Sequence, residues 1–313
     1  MRNLISLLAI FFFAFSAASA MPADTLWEKE LPVFSMEFSP TDPILAVGTS
    51  GSTKILEVET GAVIKTLPPH SYKVLGLDFT DDGKLLAART YEHTIVIYDT
   101  QNWEILKEIR ITRISDIDFS PDGLFLAVAC DGEGLRVFDT EDWLEIIHWQ
   151  KFPRVGPKLP VHPKIINVSF SYDSERIAFT LNGTDSRYKW KGYIFDLATQ
   201  ELSDTLDGMV EDAQFSPVAN ELMALRLVDF PGGDVSYDPI DYDYYKFDLS
   251  EEPISLSSFQ SVFELYSEEF KWSNDGNFIY STNNITEKII KLSNVQIVYL
   301  DSITSRAIAI SHD

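Results

Sequence analysis

Three segments of this chain concentrate side chains able to hold another molecule. Residues 152–164 (FPRVGPKLPVHPK) carry Arg154, Lys158 and Lys164 with no acidic residue among them, and Lys151 stands just before. Residues 182–192 (NGTDSRYKWKG) set Arg187, Lys189 and Lys191 around Trp190, opposed only by Asp185. Residues 227–244 reverse the charge: Asp229, Asp234, Asp238, Asp241 and Asp243 alternate with Tyr237, Tyr242 and Tyr244. Indole, phenol and guanidinium groups are the usual anchors of recognition surfaces, because they combine flat contact area with directed hydrogen bonds. The candidate binding residues are therefore Arg154, Lys158, Arg187, Lys189 and Trp190 on a basic side, and Asp238, Asp241, Tyr242 and Asp243 on an acidic one. Three arrangements remain open. The two sides can pair with each other, they can form a surface for a protein or glycan, or the Asp234–Asp243 segment can take Ca2+. Oxygen ligands are plentiful there, but their spacing matches no standard calcium loop.

Residues for covalent or metal chemistry are harder to find. The five histidines, His70, His93, His148, His162 and His312, show no metal-ligand spacing. Neither a G-x-S-x-G nor an H-E-x-x-H motif occurs. With 48 acidic residues, no carboxylate pair stands out. No catalytic residue, metal set or cofactor is assigned, and the balance leans away from an enzyme. The single cysteine, Cys130, lies in the run Leu126-Ala127-Val128-Ala129-Cys130, where a thiol packs as a small hydrophobe and finds no base.

The first twenty residues have the form of a secretory leader. Arg2 supplies a positive start, Leu4 to Phe15 an apolar run, and Ala18-Ser19-Ala20 the small residues of a cleavage site. Cleavage would leave 21–313 as one domain, secreted or, in a bacterium, periplasmic. No later stretch is apolar enough for a membrane span. Loss of Arg2 leaves 24 basic residues against 48 acidic ones, so the mature net charge is about −24. Such a chain repels nucleic acid and anionic lipid. Of three Asn-x-Ser/Thr triplets, Asn182 and Asn284 fall in expected loops and Asn167 in an expected inner strand.

A repeat of about forty residues must position all of this. Six segments share an aromatic followed by a tight turn: Phe38-Ser39-Pro40, Phe79-Thr80-Asp81-Asp82-Gly83, Phe119-Ser120-Pro121-Asp122-Gly123, Phe170-Ser171-Tyr172-Asp173, Phe215-Ser216-Pro217 and Trp272-Ser273-Asn274-Asp275-Gly276. A short strand ends at each aromatic. A second apolar strand follows the turn, and a third ends in an acid, as in Tyr98-Asp99, Phe138-Asp139, Phe195-Asp196, Phe247-Asp248 and Leu300-Asp301. A more polar fourth strand closes the unit. The recurring aspartates are what such turns require. Four strands per repeat at this period define an all-β fold, a β-propeller of about six four-stranded blades. A partial seventh blade is possible if Thr25 to Leu31 closes it, and Arg306 to Ile310 competes for the outer edge of the last blade.

The pattern resembles the WD40 and YVTN-like propeller superfamily over about residues 32–310. Phe119-Ser120-Pro121-Asp122-Gly123 followed by Val137-Phe138-Asp139-Thr140 is the closest unit. Tyr98-Asp99, Phe138-Asp139, Phe195-Asp196 and Phe247-Asp248 stand where that family has Trp-Asp, and its Gly-His pair is missing. The resemblance implies the propeller fold. It also implies that an alternative role as an extracytoplasmic hydrolase, lactonase- or glycosidase-like, would place its site near the central channel.

In a four-stranded meander the first and third turns share one end, and the second turn and the inter-blade connection share the other. The long segments 152–164, 182–192, 227–244, 250–267 and 283–294 all belong to the second class. They are expected on one face, where long loops on a rigid scaffold carry binding function. The leading expectation is a recognition scaffold presenting that face to a protein or glycan.

Overall fold

The computed structural model describes residues 31–68, 72–151, 164–182, 190–206, 209–219 and 221–227, followed by the strands at 242–248, 255–258, 269–272, 278–282, 287–291 and 296–300. Among the described residues every regular element is a β-strand. Each sheet is a four-stranded antiparallel meander. Blade 1 holds β1 (Ser35–Phe38), β2 (Ile44–Gly48), β3 (Thr53–Glu57) and β4 (Val63–Thr66). Blade 2 holds β5 (Val74–Phe79), β6 (Leu85–Thr90), β7 (Thr94–Asp99) and β8 (Ile105–Arg110). Blade 3 holds β9 (Ile114–Phe119), β10 (Phe125–Cys130), β11 (Gly134–Asp139) and β12 (Glu145–Trp149). Blade 4 holds β13 (Lys164–Phe170), β14 (Arg176–Asn182), β15 (Trp190–Asp196) and β16 (Glu201–Thr205). Blade 5 holds β17 (Met209–Phe215), β18 (Glu221–Leu227), β19 (Tyr242–Asp248) and β20 (Ser255–Ser258). The sixth sheet holds β21 (Glu269–Trp272), β22 (Phe278–Thr282), β23 (Glu287–Lys291) and β24 (Gln296–Leu300).

Contacts divide the chain into two compact units. Unit 1 is Met1–Ile111, Lys271–Tyr280 and Ile285–Asp313, and unit 2 is Thr112–Phe270 with Ser281–Asn284. Blades 1 and 2 lie in unit 1 and blades 3 to 5 in unit 2. The second strands of blades 1 to 3 read as near-continuous apolar runs because both of their faces are covered. Strand β10 (FLAVAC) is buried from Leu126 to Cys130, whereas the outer strand β4 (VIKT) is exposed throughout. Unit 1 packs Ala46, Ile55, Val74, Leu77, Leu86 and Tyr98 into a core shared by blades 1 and 2. In unit 2, Trp149 at the end of β12 meets Phe179 and Phe195 of blade 4 at ring-centroid distances of 5.6 and 5.9 Å, and Phe179 stacks on Tyr193 at 5.6 Å.

The recurring turn residues are consumed by the turns. Ser120 Oγ donates to Asp122 Oδ1 (2.6 Å) and accepts from Phe125 N (2.9 Å), while Asp122 Oδ1 also accepts from Leu124 N (3.0 Å). Ser171 and Asp173 repeat the arrangement in blade 4, and Thr80 and Asp82 in blade 2. The acids that end third strands cap the next turn: Asp139 Oδ1 accepts from Glu141 N, and Asp196 Oδ1 from Thr199 N, each at 2.7 Å. Thr140 Oγ1 then donates to Gly123 O (2.7 Å), joining the two turns of blade 3. These are architectural roles, as the once-per-blade recurrence indicates. Where blades 2 and 3 have a turn glycine at positive φ, blade 4 has Ser174 at φ 61°. Its Oγ accepts from Asp122 N of blade 3 at 3.1 Å, so a side chain that adds backbone strain also makes a tie between blades.

The expected strand at Val298–Asp301 is corrected by the structure. It belongs to β24, the fourth strand of its sheet, and the third strand is β23, within the stretch expected to be a loop. The ending Leu300-Asp301 imitates the third-strand signature, and the charges of Glu287, Lys288 and Lys291 disguise β23 as a loop. Residues 25–30 and 301–313 lie outside the described residues, and with them the proposed closing strands.

Cys130 is fully buried, and burial pushes its thiol up to about 12. Thiolate, the reactive form, is then scarce at neutral pH. A thiol reagent should label Cys130 only after the protein is unfolded in denaturant. Rapid labelling of the native protein, followed by mass spectrometry, would show instead an accessible and activated thiol.

Candidate functional site

The strand register fixes where the long segments of unit 2 begin and end. In blade 4, Lys164 of β13 pairs with Asn182 of β14, which pairs with Trp190 of β15. In blade 5, Met209 pairs with Leu227 and Leu227 with Tyr242, and the next row joins Val210, Arg226 and Asp243. The bridge Asp131↔Lys164 ties the β10–β11 turn of blade 3 to the start of blade 4.

Side chains align the inner strands of these blades in one direction. Asp116 Oδ2 accepts from Val168 N (3.2 Å) and Asp118 Oδ2 from Phe170 N (2.6 Å), joining β9 to β13. Ser169 Oγ accepts from Phe215 N (2.9 Å), and Asn167 Nδ2 donates to Ala213 O (3.0 Å) and to the Asp212 carboxylate, joining β13 to β17. Asn167 Oδ1 also accepts from Thr180 N at 3.0 Å. The ascending order of the partners makes β9, β13 and β17 parallel. The Lys164–Asn182–Trp190 row and the Met209–Leu227–Tyr242 row therefore stand at the same end of unit 2. The connections 152–163, 183–189 and 228–241 all start and finish at that end, as the meander argument requires.

The strands reach further into these segments than their polar composition suggests. Trp190, Tyr242 and Asp243 are strand residues at the first or second position of β15 and β19 rather than loop residues. A tryptophan or tyrosine fits a pleated strand well, so its presence in a charged stretch is no evidence against pairing. Arg154, Lys158, Arg187, Lys189, Asp238 and Asp241 lie outside the described residues, as does the rest of the Asp234–Asp243 segment up to Asp241.

Two features of unit 2 escape a linear reading. Lys151, counted with the basic patch, forms an ion pair with Glu201 of blade 4, fifty residues away. On blade 3, Arg136 reaches Glu133 (2.7 Å) and Glu145 (2.8 Å), while His148 Nδ1 stands 3.2 Å from Glu145. Donation from the Thr112 hydroxyl and then the Arg136 charge hold the Glu133 carboxyl below its usual range, against partial burial. The four residues come from the β10–β11 turn and from two strands, and only three-dimensional pairing unites them. The cluster braces blade 3 beside the bridge at Asp131.

Six four-stranded meanders and a loop-bearing end define an all-β propeller built of WD40-like repeats. The family model described as WD domain, G-beta repeat (WD40) matches residues 61–99 and 107–139. Each match runs from an outer strand to the acid that ends the next blade's third strand, Asp99 or Asp139. Among solved structures, Kuenenia stuttgartiensis hydrazine synthase superimposes with a TM-score of 0.70 at 14% identity, over 93% of this chain and 93% of that one. The Myceliophteria thermophila Cps50 (Swd1) beta-propeller domain does so with a TM-score of 0.69 at 16% identity, over 90% of both chains. These likenesses concern the fold. No curated protein matches the chain.

Proposed function

We propose that the chain is an extracytoplasmic recognition scaffold that holds a protein or glycan partner on the loop-bearing end of unit 2. The observation that carries this reading is that the strand rows bounding three long segments, aromatic and charged in sequence, stand at one end of the parallel-aligned blades of unit 2. Trp190 and Tyr242 stand in the end rows of blades 4 and 5. Arg154, Lys158, Arg187 and Lys189 supply cations, and Asp238, Asp241 and Asp243 supply anions, from the segments those rows launch. A rigid sheet beneath flexible-length connections is the usual arrangement for varying a binding surface without disturbing a core. Repeats of the WD40 type add support for a partner that is a protein. The leader-like residues 1–20 support export.

The test replaces Arg187 and Trp190 together with alanine. Partners captured by the wild-type mature protein from its own extracytoplasmic fraction would be purified and re-bound singly by calorimetry. Binding should weaken at least tenfold, about 1.4 kcal/mol, as for interface anchors. On this reading both side chains face the partner rather than the core, so the thermal midpoint should move little, as for substitutions that cost within about half a kcal/mol. Unchanged binding with a collapsed midpoint would identify the segments as an internal brace. A calcium-dependent midpoint that is lost in the variant Asp238→Asn/Asp241→Asn would instead support the ion in the 234–243 segment.

A further inference from the structure

We propose that the opposite, short-turn end of unit 2 is a second docking surface, for a basic amphipathic segment of a partner protein. Large apolar side chains are exposed there on four separate turns: Leu124 (57%), Leu144 (62%), Tyr172 (51%) and Val218 (48%). The fold does not demand them. At the position of Leu124 in its turn blade 2 has Lys84, and at the position of Leu144 it has Glu104, both in turns of the same length and hydrogen-bond pattern. Blade 3 thus places leucine where the repeat tolerates charge. Exposed apolar clusters of this sort mark interaction surfaces.

Three of the four turns are tied to one another. Thr140 N donates to Leu124 O (3.0 Å), and Asp139 N donates to Leu144 O (3.0 Å), so the two leucines flank one turn pair. The bond from Asp122 N to Ser174 Oγ holds the turn bearing Tyr172 against them. A surface fixed in this way loses little conformational freedom on binding.

Its charge selects the partner. Segments 120–124, 139–144 and 171–175 contain six carboxylates and no lysine, arginine or histidine. The neighbouring Arg176 is paired in register with Asp196, whose carboxyl is held low first by Thr199 and also by Arg176. Apolar anchors in a field of one sign suit a segment carrying leucine-like residues flanked by Lys or Arg. The same field rejects anionic lipid, nucleic acid and a second copy of this face. The surface lies at the far end of the strands from the loop-bearing end, so the two proposals stand or fall separately.

The probe is a fluorescent sixteen-residue amphipathic peptide of leucine and lysine, with a leucine and glutamate peptide as control, titrated into the purified mature protein. Anisotropy should show saturable binding of the lysine peptide that weakens with salt, and none of the glutamate peptide. The double variant Leu124→Lys/Leu144→Glu installs the residues of blade 2 and leaves the net charge unchanged. It should weaken binding at least tenfold while the melting temperature is kept; Leu144→Glu alone serves if the double variant misfolds. Hydrogen exchange should show protection over 120–124 and 139–144. Equal binding by the variant, equal binding of the glutamate peptide, absence of saturation, or protection confined to the loop-bearing end would each overturn the proposal.

Discussion

Replacing Phe179 with alanine should lower the stability of the protein by about 3–5 kcal/mol, the range for deleting a fully buried aromatic side chain. Phe179 is 0% exposed and sits among Trp149, Tyr193 and its other core neighbours, with ring centroids at 5.6 Å to both named partners. Truncation removes the transfer energy of the ring and leaves a cavity that two sheets must share. The neighbours cannot close on it, because Trp149 is the last residue of β12 and Tyr193 is anchored in β15 opposite Phe179 itself. Packing of aromatic pairs adds about 0.5–1.5 kcal/mol beyond area, so Phe179→Leu, which refills part of the volume, should cost distinctly less. Guanidinium titration followed by tryptophan fluorescence measures both. A loss below about 1 kcal/mol for Phe179→Ala would mean that the blade 3–blade 4 core is not packed as described.

Gly134→Ala should be comparably damaging, at about 2–5 kcal/mol, by addition rather than removal of an atom. Gly134 opens β11 with φ 90°, and a β-carbon there would lie 2.1 Å from Trp149 O. The obstacle is backbone, so relief requires β11 and β12 to part at the edge of the same aromatic core. Gly192→Ala is the informative comparison. Its β-carbon would meet Leu206 Cδ1 at 2.6 Å, the far end of a side chain that can rotate, and its φ is not in the left-handed region. Gly192→Ala should therefore cost less than Gly134→Ala in the same titration. The reverse order would show that the β11–β12 edge yields more readily than the Leu206 pocket.

The local parts of this fold were legible because their causes are local. An aromatic, a hydroxyl, an aspartate and a glycine in sequence are enough to clamp a turn, as Phe119, Ser120, Asp122 and Gly123 do. The buried thiol of Cys130 followed from five apolar residues in a row. Meander geometry then assigned the long connections of unit 2 to one end. What stayed hidden depends on partners remote in the chain. Nothing in Lys151 announces Glu201, and nothing in Glu133 announces Thr112 and Arg136. The last sheet was misassigned because Asp301 follows β24 with the same local signature that Asp139 gives β11. Trp190 and Tyr242 fall in segments whose charge reads as a loop signal, although a strand accepts tryptophan and tyrosine readily. The exposed leucines of blade 3 were visible as letters, but their meaning required the turn geometry that makes them equivalent to Lys84 and Glu104 of blade 2.

The side-chain ties between inner strands carry a consequence for cooperativity. Asp118 to Phe170, Ser169 to Phe215 and Asn167 to Ala213 each join a residue to one 46 or 52 positions away. Each tie therefore spans one repeat, so within unit 2 order passes between nearest neighbours, as in a one-dimensional array. A lesion in β9 weakens β13 before it can be felt in β17, because Val168 and Phe170 lose their acceptors first. Blade 4 is the coupling element of the array: through Asn167 and Ser169 it transmits to blade 5 whatever stability it draws from Asp116 and Asp118 of blade 3.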